Sequence, residues 1–194
     1  SAVLADHAVA LAPYFVLYLI CLVESLRLRR PIYLRDGEVK TASFKDVWPA
    51  TAERLRHAHG QSLPDWIALR SGRIGAFPDG VAYPTSDDEV RALLDFAYRT
   101  GTRLIPYGGG SSVVGHINPI PGDAANLTLD LTRLNRLLAL DEVSHLATFE
   151  SGVRGPDIEA QLRARGYTLG HYPQSFEFST LGGWIAARSS GQQS

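Results

Sequence analysis

Thr102-Arg103-Leu104-Ile105-Pro106-Tyr107-Gly108-Gly109-Gly110-Ser111-Ser112 is the stretch on which the fold turns, a short apolar run that ends in three glycines and two serines. Thr102 to Pro106 reads as a β-strand. The glycines expose successive backbone N–H groups and the hydroxyls add donors, so the loop is able to cradle the oxygens of a phosphate. No Gly-Lys-Ser/Thr follows, which excludes a Walker loop, and Val113 stands where the third glycine of G-x-G-x-x-G belongs. Taken alone, the run is open to two readings, a phosphate nest and a plain turn.

Working back from this loop, Gly101 suits the end of a helix that begins near Ser86-Asp87-Asp88-Glu89. Ser86 and Glu89 have capping-box spacing, and the acidic first turn complements the helix dipole. Val90, Leu93, Leu94 and Ala97 recur at helical spacing. Gly80-Val81-Ala82-Tyr83-Pro84 before it reads as a strand, so the unit is strand, helix, strand, glycine loop. A short helix is expected through Ala52 to His59, with Gly60 suited to end it. Residues 31 to 50, with turns such as Arg35-Asp36-Gly37-Glu38, read as a linker.

Working forward, Leu127, Leu129 and Leu131 alternate with polar residues, and Arg136 to Leu140 and His145 to Glu150 form further short runs with Asp141-Glu142 turning between them. Pro156 suits the first turn of a helix whose Ile158 and Leu162 face inward. Gly166 ends it, and Tyr167 to Leu169 returns to extended chain. Arg163 and Arg165 suit the dipole at that helix end. The class is mixed α and β, with no internal repeat.

A second loop, Pro173-Gln174-Ser175-Phe176-Glu177-Phe178-Ser179-Thr180-Leu181-Gly182-Gly183-Trp184, places polar groups and glycines ahead of a C-terminal helix that Ser179 or Thr180 would cap. Its helix start is able to aim N–H groups at the same anion as the first loop. The alternative is an ordinary capped helix with Trp184 and Ile185 in the core. Two phosphate-competent loops in one domain suit a diphosphate, which offers oxygens on two sides.

Composition narrows the partners. The 19 lysines and arginines nearly balance the 20 aspartates and glutamates, so no broad basic field exists to gather nucleic acid. The lone Cys21 excludes a disulfide framework and multi-cysteine metal motifs, in keeping with a reducing, cytoplasmic setting. Ala8 to Val23 carries no formal charge and precedes Arg27, Arg29 and Arg30. Sixteen helical residues reach only about 24 Å against roughly 30 Å of hydrocarbon. Pro13 interrupts the run, and Asp6 and His7 replace the basic start of a signal peptide. A hydrophobic helix covered by protein is therefore favoured over membrane contact through residues 8 to 23.

The remaining candidates have plain readings. His57 and His59 are two apart, which is wrong for a helix-face metal pair, and they read as capping or surface residues. His116 reads as a loop histidine facing solvent. Asn126-Leu127-Thr128 matches a glycosylation sequon inside an expected strand and reads as chance. No metal ligand set is expected.

From about Ala52 to Gly191 the chain resembles the FAD domain of alkylglycerone-phosphate synthase, within the flavoprotein superfamily of vanillyl-alcohol oxidase and p-cresol methylhydroxylase (PCMH). The resemblance rests on Arg56-His57-Ala58-His59-Gly60, Tyr83-Pro84, Pro106 to Val113, Thr168-Leu169-Gly170-His171, Ser175 to Trp184, and Arg188-Ser189-Ser190-Gly191. The segment from Glu177 to Trp184 favours the synthase branch over lactate and glycolate dehydrogenases.

The resemblance implies an α+β, PCMH-type FAD-binding domain over 51–194, C-terminally truncated. It has two α+β subdomains, the second incomplete, after a hydrophobic N-terminal segment and linker at 1–50. It implies FAD as cofactor, with Pro106, Tyr107, Gly108, Gly109, Gly110, Ser111 and Ser112 around the diphosphate. Gln174, Ser175, Phe176, Glu177, Phe178, Ser179 and Thr180 would contact the cofactor from the facing side, and Ala187, Arg188, Ser189 and Ser190 would form a third patch. The implied activity is exchange of an acyl group on dihydroxyacetone phosphate for a long-chain alcohol, on a lipid-like substrate. Its catalytic residues are expected beyond Ser194, so none is assigned. The runner-up is an FAD-linked oxidase or dehydrogenase of a 2-hydroxy acid or alcohol, and a third reading is an inactive product that takes no flavin.

Overall fold

A computed structural model of the chain describes residues 47–48 and 51–191. The hydrophobic helix expected within residues 8–23 and nearly all of the linker lie outside the described residues. The described part of the linker, Val47–Trp48, is a strand and not the irregular chain expected, because its backbone pairs with Val81 and Ala82. Among the described residues, no helix is long and apolar enough to cross a membrane.

The first layer is a four-stranded sheet. Its strands are β1 (Val47–Trp48), β2 (Gly80–Ala82), β3 (Arg103–Tyr107) and β4 (Asn126–Asp130), in the order β1-β2-β4-β3. β1 is antiparallel to β2, while β2, β4 and β3 are parallel, with Val81 opposite Thr128 and Ile105 opposite Thr128 on the other side. Helix α1 (Thr51–Arg56) and helix α2 (Leu63–Ser71) precede β2, and helix α3 (Asp87–Thr100) crosses over from β2 to β3.

Helix α3 forms where its signals predict. Ser86 caps it by accepting the Glu89 N–H at 3.3 Å, and Gly101 leaves it with a left-handed φ of 71°. The reciprocal half of the box moves one residue outward, since the Glu89 carboxylate accepts the Thr85 N–H at 2.7 Å and hydroxyl at 3.0 Å. The buried stripe is Leu93 with Val90 and Phe96, packed on Ala82, Leu127 and Leu129. Leu94, expected in that stripe, is exposed.

All five residues of β4 are buried, because the strand lies between β2 and β3 with cover on both faces. Leu127 and Leu129 meet α3. On the opposite face Asn126 bonds the Ile120 carbonyl through its side chain at 3.0 Å, and Asp130 reaches His57 beyond the end of α1. The asparagine of the sequon is thus a buried, hydrogen-bonded strand residue.

The second unit holds a β5 (Leu137–Asp141) and β6 (Leu146–Phe149) hairpin, helix α4 (Gly155–Arg163) and helix α5 (Leu181–Ala186). Its turn is fixed by the Asp141 carboxylate, which accepts the N–H groups of Val143 and Ser144 at 2.9 and 3.1 Å. A separate core gathers Val153, Ile158, Leu162 and Trp184. Burying four such side chains contributes roughly 1.5–3 kcal/mol each, before the entropy of ordering them.

Three further expectations are corrected here. Helix α1 stops at Arg56, so Gly60 is not its C-terminal residue. Helix α4 ends at Arg163 with Ala164 as cap, and Gly166 (φ 81°) sits in the turn after it. Tyr167 to Leu169 forms no strand. Helix α2 was not expected at all.

Candidate cofactor site

Strands β2, β3 and β4 deliver their carboxyl ends to one edge of the sheet, the side on which open α/β sheets bind ligands. Tyr83, Tyr107 and Asp130 stand there, and the glycine loop leaves β3 at that edge.

The two predicted loops are in backbone contact. A Cβ on Gly108 would overlap the Thr180 hydroxyl oxygen, and one on Gly109 would overlap the Phe178 carbonyl oxygen and lie 3.0 Å from Ser179 Cα. Gly110 is left-handed, with φ 68°, and a Cβ there would fall on the Tyr107 hydroxyl. Two glycines thus serve close approach and the third serves the turn.

Among the described residues, no acceptor receives the N–H groups of Gly108, Gly109, Gly110, Ser111 or Ser112. Gly110 is nevertheless buried. Buried amides without a partner are rare, because each forfeits its hydration. A row of such donors fits the oxygens of a diphosphate, and a plain turn gives no reason for it.

The facing segment differs. Phe178 N–H and Ser179 N–H both donate to the Ser175 carbonyl, at 2.9 and 2.8 Å, so this stretch is a closed turn. These two N–H groups, and that of Phe176, which donates to the Pro173 carbonyl at 2.9 Å, do not wait for an anion. Helix α5 departs from expectation in the same way: Leu181 N–H donates to Val153 and Gly182 N–H to Ser151, at 2.9 and 2.7 Å. The free helix start expected here is largely used up internally. Thr180 occupies the cap position without a side-chain capping bond, and its hydroxyl lies against Gly108 instead. Ser179 holds Trp184, whose indole N–H donates to it at 2.6 Å. Trp184 is buried as expected, but Ile185 is 72% exposed and lies outside the core. Gln174, Glu177 and Phe178 present exposed side chains, Ser175 and Phe176 are half-buried, and Ser179 and Thr180 are buried.

Ala187, Arg188, Ser189 and Ser190 follow the far end of α5, about 9 Å of helix from Thr180. Arg188 is left-handed, with φ 50°. Ser189 Oγ lies 3.3 Å from His171 Nε2, and Gly191 packs on the Tyr172 carbonyl. No described hydrogen bond or ring contact joins this patch to the glycine loop.

Residues that looked unremarkable build the underside of the loop. His57 is buried, with Nδ1 2.7 Å from the Glu53 carbonyl oxygen and Nε2 2.9 Å from Asp130 Oδ2. A carbonyl and a carboxylate both accept, so this geometry favours the imidazolium, which donates from both ring nitrogens. Burial pulls its pKa down, but the bonds to Asp130 and Glu53 outweigh this and hold it above 6.5. The ring packs on Tyr107 at 4.4 Å between centroids. Burial, then the Asp130 charge, pushes the Tyr107 hydroxyl up to about 12.

At the loop's far end, Gln61 N–H donates to the Ser112 carbonyl at 2.5 Å, and Gly60 has no room for a Cβ against that carbonyl. Gly60 N–H donates to Asn118 Oδ1, and Asn118 Nδ2 donates to Asp65 at 2.7 Å. His59 Nδ1 is 3.2 Å from Asp65 Oδ1 without hydrogen-bond geometry, and both its ring nitrogens are buried without a hydrogen-bond partner. The surface roles expected of His57 and His59 are therefore wrong, while the capping role holds for His57 alone, whose Nδ1 bonds the Glu53 carbonyl at the end of α1. Their carboxylates, Asp130 and Asp65, are supplied by the fold. His116 is exposed, with Nδ1 3.5 Å from Ser112 Oγ.

A protein-family model described as an FAD binding domain matches residues 78–194. Alkyldihydroxyacetonephosphate synthase of Dictyostelium discoideum is 43% identical over 141 residues, covering 73% of this chain and 23% of that protein. The synthase of Trypanosoma brucei brucei is 40% identical over 143 residues, again 73% and 23%. A solved structure of alkyldihydroxyacetonephosphate synthase superposes with a TM-score of 0.73 at 40% identity, covering 75% of this chain and 27% of that one. Glycerone is dihydroxyacetone, so these relatives carry the activity of the resemblance noted above. The chain spans about a quarter of their length.

Proposed function

The chain belongs to the FAD-binding domain family, its cofactor is FAD, and from that premise we propose that Pro106 to Ser112 hold the FAD diphosphate in a flavoenzyme of the alkyldihydroxyacetonephosphate synthase type. The observation that carries the loop assignment is the row of five amides without an acceptor among the described residues, one of them in a buried residue. When bound, the flavin supplies the chemistry of the reacting centre.

The protein's part is positional. Gly108 to Ser112 offer donors to the diphosphate. Gln174 to Thr180 form the facing wall, holding the loop in place through Phe178 to Thr180, and Ala187 to Ser190 contribute a third contact. The substrate in this reading is an acyl-dihydroxyacetone phosphate with a long-chain alcohol, and 37–43% identity to synthases over about 140 residues supports it.

The FAD domain reaches back at least to Val47, ahead of the family match at 78, because Val47–Trp48 pair with β2 and the segment from α1 to α2 packs under the glycine loop. Two subdomains, each with its own sheet and core, complete it. We place the protein in the cytoplasm, with residues 8–23 covered by protein and association with a membrane face as the alternative.

The catalytic residues implied by the resemblance lie outside this sequence, so the test first adds FAD to the chain and reads bound-flavin absorbance. It then supplies acyl-dihydroxyacetone phosphate and a labelled long-chain alcohol to a protein that joins this domain to the remainder of a synthase. An alkyl product with release of fatty acid supports the synthase reading. Reduction of an electron acceptor by a 2-hydroxy acid, without alkyl product, would replace it with the dehydrogenase. Absence of flavin absorbance after FAD is added would remove both.

A further inference from the structure

We propose that His57 and Asp130 are positioning residues for the glycine loop: the imidazolium, fixed by the Asp130 carboxylate and the Glu53 carbonyl, holds Tyr107 beneath Gly110 and so preforms the donors that receive the FAD diphosphate. The inference rests on the reading of that loop as the diphosphate site.

The path is continuous. Asp130 ends β4, where its Oδ1 also accepts the Thr132 N–H at 2.9 Å and hydroxyl at 2.5 Å, so it cannot swing away from His57. His57 in turn carries the Tyr107 ring at 4.4 Å. The Tyr107 hydroxyl donates to the Arg56 carbonyl at 3.3 Å and fills the space a Cβ on Gly110 would need. Moving the Tyr107 ring therefore moves the floor of the left-handed turn.

Loss of the His57 proton breaks this path at either nitrogen. A bare Nδ1 would set its lone pair against the Glu53 carbonyl oxygen, and a bare Nε2 would set it against Asp130. The charged and titratable groups around the ring are Glu53 and Arg56 of α1, which pair with each other at 2.8 Å, Tyr83 after β2, Tyr107 of β3, Asp130 of β4 and Arg133, which lies over Tyr83. Tyr83 donates to Glu53 at 2.6 Å, and its hydroxyl is raised well above 10, first by burial and then by that bond. Neither tyrosine titrates in the range where a raised histidine does. Affinity for FAD therefore falls as pH rises through the His57 pKa, which lies above 6.5.

The experiment measures FAD affinity by fluorescence quenching from pH 6 to 10, with hydrogen exchange of residues 108–112 in the absence of FAD. It uses the full 194-residue chain as wild type, His57→Gln and Tyr107→Leu. We expect His57→Gln to weaken FAD about tenfold at pH 7, the scale of one hydrogen bond to a charged group, and to flatten the pH profile. Exchange in the loop should rise in both variants. Tyr107→Leu keeps the ion pair but removes the ring on His57 and the hydroxyl beneath Gly110, so exchange of residues 108–112 without FAD in this variant decides the matter if His57→Gln does not fold. Unchanged exchange and an unchanged pH profile in the folded variants would overturn the proposal while the FAD reading stands. Faster loop exchange in a chain that takes no FAD would uphold the positioning and remove the diphosphate assignment instead.

Discussion

The carbonyl oxygen of Phe178 occupies the place where a Cβ on Gly109 would have to stand. These residues are 69 apart in sequence, and their contact joins the two loops proposed to face the cofactor. The obstructing atom is backbone, so no rotamer change relieves the overlap. Gly109→Ala should destabilise the chain by about 1–3 kcal/mol, as overpacking does, and abolish retained flavin absorbance. Gly75 makes the control: nothing lies within 4 Å of a Cβ there and its φ is not left-handed. Gly75→Ala should leave the urea midpoint unchanged or raise it slightly. Equal effects of the two substitutions would contradict the packing argument.

Glu159 is buried in α4, yet its carboxylate accepts the Thr168 hydroxyl at 2.7 Å and the N–H groups of Leu169 and Gly170 at 3.1 Å each. Burial raises its pKa, but these three bonds and Arg163 together hold it below 4.5. A depressed carboxylate stabilises the fold above its unfolded pKa and loses that contribution as pH falls through the folded value. Glu159→Gln should therefore lower stability by about 2 kcal/mol at pH 7, since one acceptor becomes a donor facing N–H groups. Denaturation midpoints measured from pH 7 down to 3 should converge for the two proteins at the acid end. A constant gap across that range would assign the effect to packing instead of charge.

The strand, helix, strand unit and its glycine loop were legible because each boundary carries a local signal, Ser86 and Gly101 above all. The hairpin was legible for the same reason, through Asp141. Helix α2 was missed although Ser62, Pro64, Asp65 and Gly72 mark its ends, because Leu63, Trp66 and Ile67 are exposed and no buried apolar period announces it. The histidines were misread because their partners are decided by the sheet. Asp130 is 73 residues from His57, and only the parallel register brings the end of β4 to α1. Which glycines turn and which pack closely is equally a long-range matter, visible only when Phe178 and Thr180 arrive.

The overlooked helix gives a third test. Ser62 Oγ accepts the Asp65 N–H at 3.2 Å, and the Asp65 carboxylate accepts the Ser62 N–H at 3.1 Å and the Ser62 hydroxyl at 2.6 Å. Ser62→Ala should cost about 1 kcal/mol, the usual loss of an N-cap. Asp65→Ala should cost more, because it also strands the Asn118 amide and leaves His59 beside no charge. A double-mutant cycle of Asp65→Ala with Asn118→Ala, read in urea midpoints, should show coupling of about 0.5 kcal/mol or more. Strict additivity would mean that Asp65 serves only the helix.

Trp184 connects the second core to the wall facing the glycine loop. Its ring is buried among Val153, Ile158 and Leu162, while its N–H donates to Ser179 Oγ, whose own proton goes to the Ser175 carbonyl at 2.8 Å. The hydroxyl therefore has a donor and an acceptor, and the turn that carries Phe178 is pinned from inside. Trp184→Phe keeps most of the apolar volume and removes the N–H, so Ser179 loses a partner in a buried setting. Stability should drop by about 1–3 kcal/mol, the scale of an unmade buried bond. Ser179→Ala on that background should then add little, because the bond the hydroxyl made with the indole is already gone. Flavin retention should fall with Trp184→Phe if the turn positions the loop. Full retention by a destabilised variant would show that the pin serves the core alone.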